Sequence, residues 1–520
     1  MRAPYSRTFF DLLCEQAERD PRALAVICGD RETTYAELEM RARRIAGCLA
    51  AQGIGRGDHV ALLLDNRLEW LELCFGVAAL GAVLVPFSTW SRRRELEFLL
   101  SERDYKALFL AGTLAEHDFT QDLAGLPLPP LVVTMDWPAA PFSAWRDFLV
   151  QAEPLAELPP PGECAAANAT ALILHTSGST AYPKAVPLLH GACIENGFNI
   201  GERQGLVPGD RVLLPAPLFW SYGSANALMA TFTHGAALVL QRRFDPGEAL
   251  DLIERHRCTS IYTLPAMTSA LVLHPAFTKE RTRSLCKGMT IGSPRDIETA
   301  ATVLGASRLC NIYGQTESYG NCCVTWHHWP LARRMAVQGP PLPGVQLRLV
   351  DETSGEPVGA GEAGLLEVRG YVMPGYLGTS AAHNGEAFTV DGWFRTGDLV
   401  ERTPEGDLRF LGRTTEMIKR NGINISPAEV EDVLRACPGV AQVGVVGLDD
   451  AARGQAVLAF VVPKPGEQLE AASVREFCRA EAASYKTPDR VELCAALPLT
   501  PTGKLQRSEL KKMAAALATG

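Results

Sequence analysis

The sequence predicts an α/β protein with a large N-terminal domain and a small C-terminal α/β domain, and three features carry that reading. At 520 residues the chain is too long for one compact core. Its early part alternates helix-like and strand-like segments, the pattern of a mainly parallel sheet covered by helices. A fresh helix signal begins near Ser426, after a stretch of short alternating runs.

From Thr34, TYAELEMRARRIAGCLAAQGIGRGDHVALLL reads as a helix with apolar spacing, stopped at Gly53 and followed by a strand. NRLEWLELCFGVAALGAVLVPF repeats that order. The uncharged run Leu73 to Phe87 is shorter than the ~20 residues that span a bilayer and contains Gly76, Gly81 and Pro86, so a buried helix and then a buried strand are expected. A Pro-rich stretch, Leu158 to Gly162, closes the region. Ala171 to Leu174 reads as a buried strand feeding the loop TSGSTAYPKA, with a helix expected on its far side. A second alternating region runs from Arg211 to about Tyr313. Val345 to Gly370 shows short runs separated by turn residues, which predicts an antiparallel or barrel-like β unit. After GRTTEMIKRNG, Ser426 is placed to cap a helix, Pro427 to open it and Glu429 to complete a capping box. The domain boundary is expected near Thr414, giving domains 1–413 and 414–520.

Composition excludes several function classes. Hydrophobic residues make up 47% and charged residues 21%, as in folded globular chains. The net charge is -9 and no Lys/Arg block offers a track for phosphates, which argues against nucleic acid. The start, MRAPYSRTFFDLLCEQ, breaks its apolar stretch with Asp11 and Glu15, so no signal peptide is expected. The 14 cysteines contain no CxxC pair and read as reduced thiols, which makes a cytoplasmic protein without a membrane span the expectation.

Four motifs carry chemistry. In Thr176 to Lys184, TSGSTAYPK, hydroxyls and glycines stand where backbone N–H groups can wrap a polyphosphate, and Lys184 adds positive charge. The Walker pattern does not fit. In NIYGQTE, Tyr313 offers a flat face for a base, Thr316 a hydroxyl for phosphate and Glu317 a hard oxygen for Mg²⁺, and Gly314 is counted with them as nucleotide-binding. In DGWFRTGDL, Asp398 ends a glycine turn and can accept both hydroxyls of a ribose, with Arg413 within reach of the sugar or α-phosphate. In PLTPTGKLQR, Gly503 frees the backbone beside Lys504.

Together and in this order, these motifs resemble the adenylate-forming superfamily, which contains acyl-CoA synthetases, the adenylation domains of peptide synthetases and firefly luciferase. The resemblance runs from TYAELEMRARRIAGCLA to GKLQRSELKK. It implies an N-terminal domain of two α/β subdomains plus a β unit, a mobile C-terminal domain, and the substrates ATP, a carboxylic acid and coenzyme A, with Mg²⁺ as cofactor. It implies that Thr176, Ser177, Gly178, Ser179, Thr180 and Lys184 hold phosphates and that Gly292, Ser293 and Pro294 line the adenine. Tyr313 would stack on the base, Glu317 bind Mg²⁺, Asp398 bind the ribose with Arg413 as helper, and Lys504 serve adenylation. Acyl-AMP would form with release of pyrophosphate and pass to the thiol of CoA.

The chain departs from the family pattern at several positions. Ala181 and Ala185 stand where glycine is usual, and a need for φ > 0 there would cost roughly 1 kcal/mol. Thr415 occupies the usual hinge position. Asn421-Gly422 replaces a Gly-Gly pair on the CoA path. Trp220, where many acyl-CoA synthetases carry His, is either a core aromatic or a wall of the acyl pocket. Tyr222, Gly292, Tyr319 and Asn321 complete the pocket candidates, with Asn321 suited to a polar substituent. A carrier protein or an amine stands as the alternative acceptor. A nucleotide-binding regulator without catalysis is the reading from a different class.

Overall fold

The computed structural model describes residues 8–114, 117–135, 142–155, 167–176, 183–414, 416–420, 423–450, 454–482, 486–500 and 505–518. Two mainly parallel sheets form the body of the N-terminal part. Among the described residues the first has seven strands, in the order Lys184–Leu189, Thr170–Thr176, Val83–Pro86, His59–Leu63, Tyr105–Leu110, Leu131–Thr134 and Ser143–Ala144. All its neighbours are parallel except the edge pair Thr170–Thr176 and Lys184–Leu189. The strand after the phosphate loop therefore stands where a helix was expected. Lys184 returns directly opposite Thr176, and the helix His190–Gln204 starts only after the antiparallel strand is complete.

The second sheet has eight strands among the described residues. Their order is Cys323–Val324, Cys310–Tyr313, Lys287–Thr290, Ser260–Tyr262, Arg211–Leu214, Ala237–Leu240, Leu24–Cys28 and Arg31–Thr34. Only the two outer strands run antiparallel to their neighbours.

Local sequence explains the helices that cover these sheets. Thr34 and Glu37 make both bonds of a capping box at the start of the helix Tyr35–Ala51. Leu38, Ala42, Ile45, Ala46 and Leu49 of that helix recur on one face and are buried, each leucine or isoleucine contributing about 2 kcal/mol relative to exposure. The run expected to be a buried helix and strand forms the helix Leu68–Ala79 and the strand Val83–Pro86.

The segment Val345 to Gly370 contributes to an antiparallel sheet of four strands, Gln346–Val350, Ala363–Arg369, Phe394–Arg402 and Leu408–Arg413. Among the described residues it is open and does not close into a barrel. Among the described residues the C-terminal part has its own sheet of five strands, its own buried core around Val430, Val445, Val457 and Val461, and the helices Pro427–Arg435, Ala471–Glu481 and Arg507–Ala518.

Two local expectations are corrected. Pro427 opens its helix, but the Ser426 hydroxyl makes no capping bond and has no partner among the described residues, and Glu429 pairs with Lys486 at 2.9 Å instead of completing the box. Ala185 lies in extended strand backbone and not in the left-handed region, so alanine carries no conformational cost there. Ala181 lies outside the described residues. No helix among the described residues is long and apolar enough to cross a membrane.

Candidate functional site

Three of the candidate loops follow the carboxyl ends of parallel strands, where open α/β sheets leave a crevice for ligands. Cys310–Tyr313 leads into Gly314 to Glu317, Lys287–Thr290 into Gly292 to Pro294, and Arg211–Leu214 into the segment holding Trp220.

Asp398 sits within the strand Phe394–Arg402 and not at the end of a turn. The next strand places Arg413 directly opposite it, so strand pairing delivers the guanidinium, whose Nε donates to Asp398 Oδ1 at 3.0 Å. Asp398 Oδ2 accepts from the Tyr313 hydroxyl at 2.6 Å and from Gln315 Nε2 at 2.5 Å. Gln315 also donates to the Thr396 carbonyl at 3.0 Å. Burial of Asp398 lifts its carboxyl above the ordinary range, while Arg413, Tyr313 and Gln315 pull it back down. Burial and the Asp398 charge push the Tyr313 phenol well up, so it stays protonated as the donor. One face of Tyr313 stacks on Phe410 at 5.8 Å.

Gly314 turns the chain back on itself. A Cβ there would stand 2.3 Å from the Gly320 carbonyl oxygen and 2.5 Å from Asn321 Cα, so no larger residue fits. The turn Thr316–Ser318 follows, and Tyr319 leaves it in the left-handed region at φ 56°. Glu317 is buried, and its Oε1 accepts from the Tyr376 hydroxyl at 2.9 Å. Lys184 Nζ lies 4.9 Å from the centroid of the same tyrosine ring. Tyr376 thus links the end of the phosphate loop to the candidate Mg²⁺ ligand. Thr316 Oγ1 lies 3.0 Å from Ser221 Oγ.

In the candidate adenine loop, Gly292 has φ 144°, and a Cβ on it would stand 2.7 Å from Asp296 Oδ2. Ser293 caps the helix Pro294–Glu298 in a reciprocal box with Asp296, and Pro294 is its first residue. The C-terminal part touches this loop. Arg295 Nη1 donates to the Arg435 carbonyl at 2.7 Å, and Arg435 Nη1 lies 3.8 Å from Asp296 Oδ2.

The pocket candidates divide. Trp220 is half-buried and meets Trp90 edge-on at 5.2 Å, so it is not a core aromatic. Tyr222 opens a π-helical turn, Tyr222–Leu228, and its hydroxyl donates to the carbonyls of Met289 at 2.9 Å and Thr263 at 3.1 Å. Tyr319 is a core side chain and not an open wall: it is 1% exposed, and its hydroxyl accepts from Leu189 N at 3.3 Å. Asn321 is equally buried, with its Nδ2 unpaired. Ser177, Gly178, Ser179, Thr180, Thr415, Asn421, Gly422 and Lys504 lie outside the described residues.

Gln315, Tyr376 and Ser221 escaped the sequence reading. Gln315 sits inside a motif already singled out, where an amide beside a nucleotide pocket is a usable signal. Tyr376 and Ser221 have no local signal, because sheet packing alone brings them to Glu317 and Thr316.

A family model described as AMP-binding enzyme matches residues 13–377, and one for the AMP-binding enzyme C-terminal domain matches residues 429–504. The chain is 32% identical over 501 residues to a feruloyl-CoA synthase of an Amycolatopsis species, covering 96% of this chain and 97% of that one. Among solved structures, ATP-bound MatB from Rhodopseudomonas palustris matches with a TM-score of 0.85 at 26% identity, over 97% of this chain and 98% of that one. The anthranilate CoA ligase AuaEII in complex with anthranoyl-AMP matches with a TM-score of 0.90 at 25% identity, over 100% and 99%. The chain belongs to the AMP-binding enzymes, the adenylate-forming superfamily, and is an AMP-forming ligase of the acyl-CoA synthetase type.

Proposed function

We propose that the protein joins a carboxylic acid to the α-phosphate of ATP, releases pyrophosphate and passes the acyl group of the acyl-AMP to coenzyme A. The observation that carries this reading is the junction at Gly314. It ties the Asp398 network, suited to ribose, to Glu317 and Lys184, suited to phosphates. Asp398 is held by three donors that fix its carboxylate in one orientation, and its remaining lone pairs would accept from a sugar diol. The base would lie against the ring face of Tyr313 opposite Phe410, beside Gly292, Ser293 and Pro294.

Thr176, the hydroxyl and glycine residues Ser177 to Thr180 and Lys184 would cradle the phosphates. A single carboxylate with its other partners drawn from phosphates and water suits Mg²⁺, and Glu317, oriented by Tyr376, fits that demand. Mg²⁺ bound there would offset the negative charge that repels the incoming carboxylate. Lys504 would bridge the carboxylate and the α-phosphate, aligning them for in-line attack. The boundary near Thr414 falls between the last strand of the four-stranded sheet and Ile418–Arg420 of the small one, where a hinge would let the C-terminal domain bring Gly422 to the thiol path.

The test is a hydroxylamine-trapping screen of aryl, short-chain and medium-chain acids with ATP and Mg²⁺, followed by thioester detection with CoA. Hydroxamate and thioester from the same acid are expected. Hydroxamate without thioester would move the acceptor to a carrier protein or an amine, and neither product with any acid would overturn the reading.

A further inference from the structure

Three asparagines that lie in or against the stretch Tyr319 to Asn321 carry four buried side-chain atoms with no hydrogen-bond partner among the described residues. Asn226 is fully buried, and neither its Oδ1 nor its Nδ2 is paired. Asn196 Oδ1 and Asn321 Nδ2 are also unpaired, and both residues are at most 1% exposed. Asn196 Nδ2 donates to the Asn321 carbonyl at 2.9 Å and reaches that of Tyr319 at 3.5 Å. A Cβ built on Gly320 would stand 2.4 Å from Asn226 Nδ2, which brings the third amide to the same place.

The position of this cluster points to a ligand. Gly320 follows the turn that bears Thr316 and Glu317, and its carbonyl packs on Gly314. Asn226 belongs to the π-helical turn Tyr222–Leu228, an arrangement that is rare in helices and concentrated at functional sites. That turn starts one residue after Ser221, whose hydroxyl meets Thr316. Folded proteins pair almost all their buried amide atoms, so unpaired ones on three asparagines that meet along Tyr319 to Asn321 suit a partner that arrives from outside.

The chemistry of the partner follows from the atoms left over. Two are donors, Asn226 Nδ2 and Asn321 Nδ2, and two are acceptors, Asn196 Oδ1 and Asn226 Oδ1. The bonds of the Asn196 amide go to backbone carbonyls, and no described Arg or Lys bonds any of the unpaired atoms. A second carboxylate placed here would be buried without a counter-charge, which is strongly unfavourable. A hydroxyl both gives and takes a hydrogen bond and carries no charge.

We propose that the acid activated by this protein carries a hydroxyl away from its carboxyl group, and that this hydroxyl pairs with Asn226 and Asn321. The inference rests on the acid-activating reading given above and names the substrate class for it.

The experiment compares matched acids on the full chain with ATP and Mg²⁺, reading trapped hydroxamate and ATP–pyrophosphate exchange. Suitable pairs are 4-hydroxybenzoate and benzoate, 3-hydroxybutyrate and butyrate, and 6-hydroxyhexanoate and hexanoate. In at least one pair the hydroxy acid should exceed its plain partner in kcat/KM by about 100-fold or more, the scale on which a site built for a hydroxyl rejects the analogue lacking it. In Asn226→Leu and in Asn321→Val that ratio should fall to within about tenfold through loss on the hydroxy acid. The wild-type ratios need no variant, so a failure of either variant to fold leaves the test intact. Equal or better use of the plain acid in every pair, or a preference that survives in both variants, overturns the proposal while acid activation stands. No exchange with any acid overturns acid activation itself, and the hydroxyl proposal with it.

Discussion

Around Asp398 each carboxylate oxygen has a donor, whereas around Gly320 the amides of Asn196, Asn226 and Asn321 leave four atoms without partners. Both regions are buried and both meet the chain beside Gly314: Tyr313 and Gln315 on either side of it bond Asp398, and the Gly320 carbonyl packs on it. The difference follows what each half would hold. A nucleotide is the same in every turnover, so strand register and neighbouring side chains can complete its contacts in advance. Hydrogen bonds to a charged group are each worth about 1.5–3 kcal/mol, which keeps that half rigid. An acid varies from one enzyme to another, and a site with atoms left open is completed only by the group it accepts.

Changes on the nucleotide side should therefore slow all acids alike, and changes on the acyl side should reorder them. The largest effect is expected from Lys504→Ala, a loss in adenylation of about 10²–10³ or more for every acid. Synthetic acyl-AMP should still become thioester in this variant. Equal loss in both half-reactions would show that Lys504 does not act on adenylation alone, and would break the assignment of the two half-reactions to different faces of the small domain.

Asp398→Asn comes next, lowering kcat/KM for ATP by about 10–100-fold with no change in the ranking of acids. A changed ranking would break the division between the two halves. Glu317→Gln should lower adenylation by about tenfold and raise the Mg²⁺ concentration needed, because an amide lacks the negative charge that a hard dication prefers. Titrating Mg²⁺ in pyrophosphate exchange reads this directly, and an unchanged Mg²⁺ curve would remove Glu317 from the metal site.

Trp220→Ala should change rates only a few-fold but widen the range of acids, leaving KM for ATP nearly constant. Because Trp220 is half-buried against Trp90, its stability loss should stay below the ~3–5 kcal/mol of a core aromatic. An unaltered acid profile would show that the indole serves Trp90 alone.

A buried carboxyl away from the site sharpens the contrast with Asp398. Glu72 is 3% exposed, and Arg41 Nη1 lies 3.3 Å from it. Burial first, then Glu69, pushes its carboxyl from 4.5 up to about 7. The fold thus favours neutral Glu72, and this stabilisation is fully present below pH 4.5 and lost as pH rises through 7. The span corresponds to roughly 3 kcal/mol at most. Glu72→Gln should raise the thermal unfolding midpoint at pH 8, give no gain below pH 4.5 and leave adenylation unchanged. A gain of equal size at both pH values would trace the effect to something other than the charge.

Sequence alone determined the parts of this protein that depend on near neighbours. The capping box of Thr34 and Glu37, the buried run from Leu73 to Phe87 and the order of the motifs follow from contacts within a turn or from residue type. Tertiary structure decided what depends on distant pairing. Leu24–Cys28 and Arg31–Thr34 join the second sheet through Ala237–Leu240, far along the chain. Ala185 is extended because Lys184–Leu189 pairs with Thr170–Thr176, and the box at Ser426 lacks its Glu429 half because Lys486 takes that carboxylate. Tyr376 reaches Glu317, and Gln315 reaches Asp398, across 59 and 83 residues. Hydrophobic spacing reports which face of an element is buried, but only the stacking of whole sheets sets which side chains meet across that face.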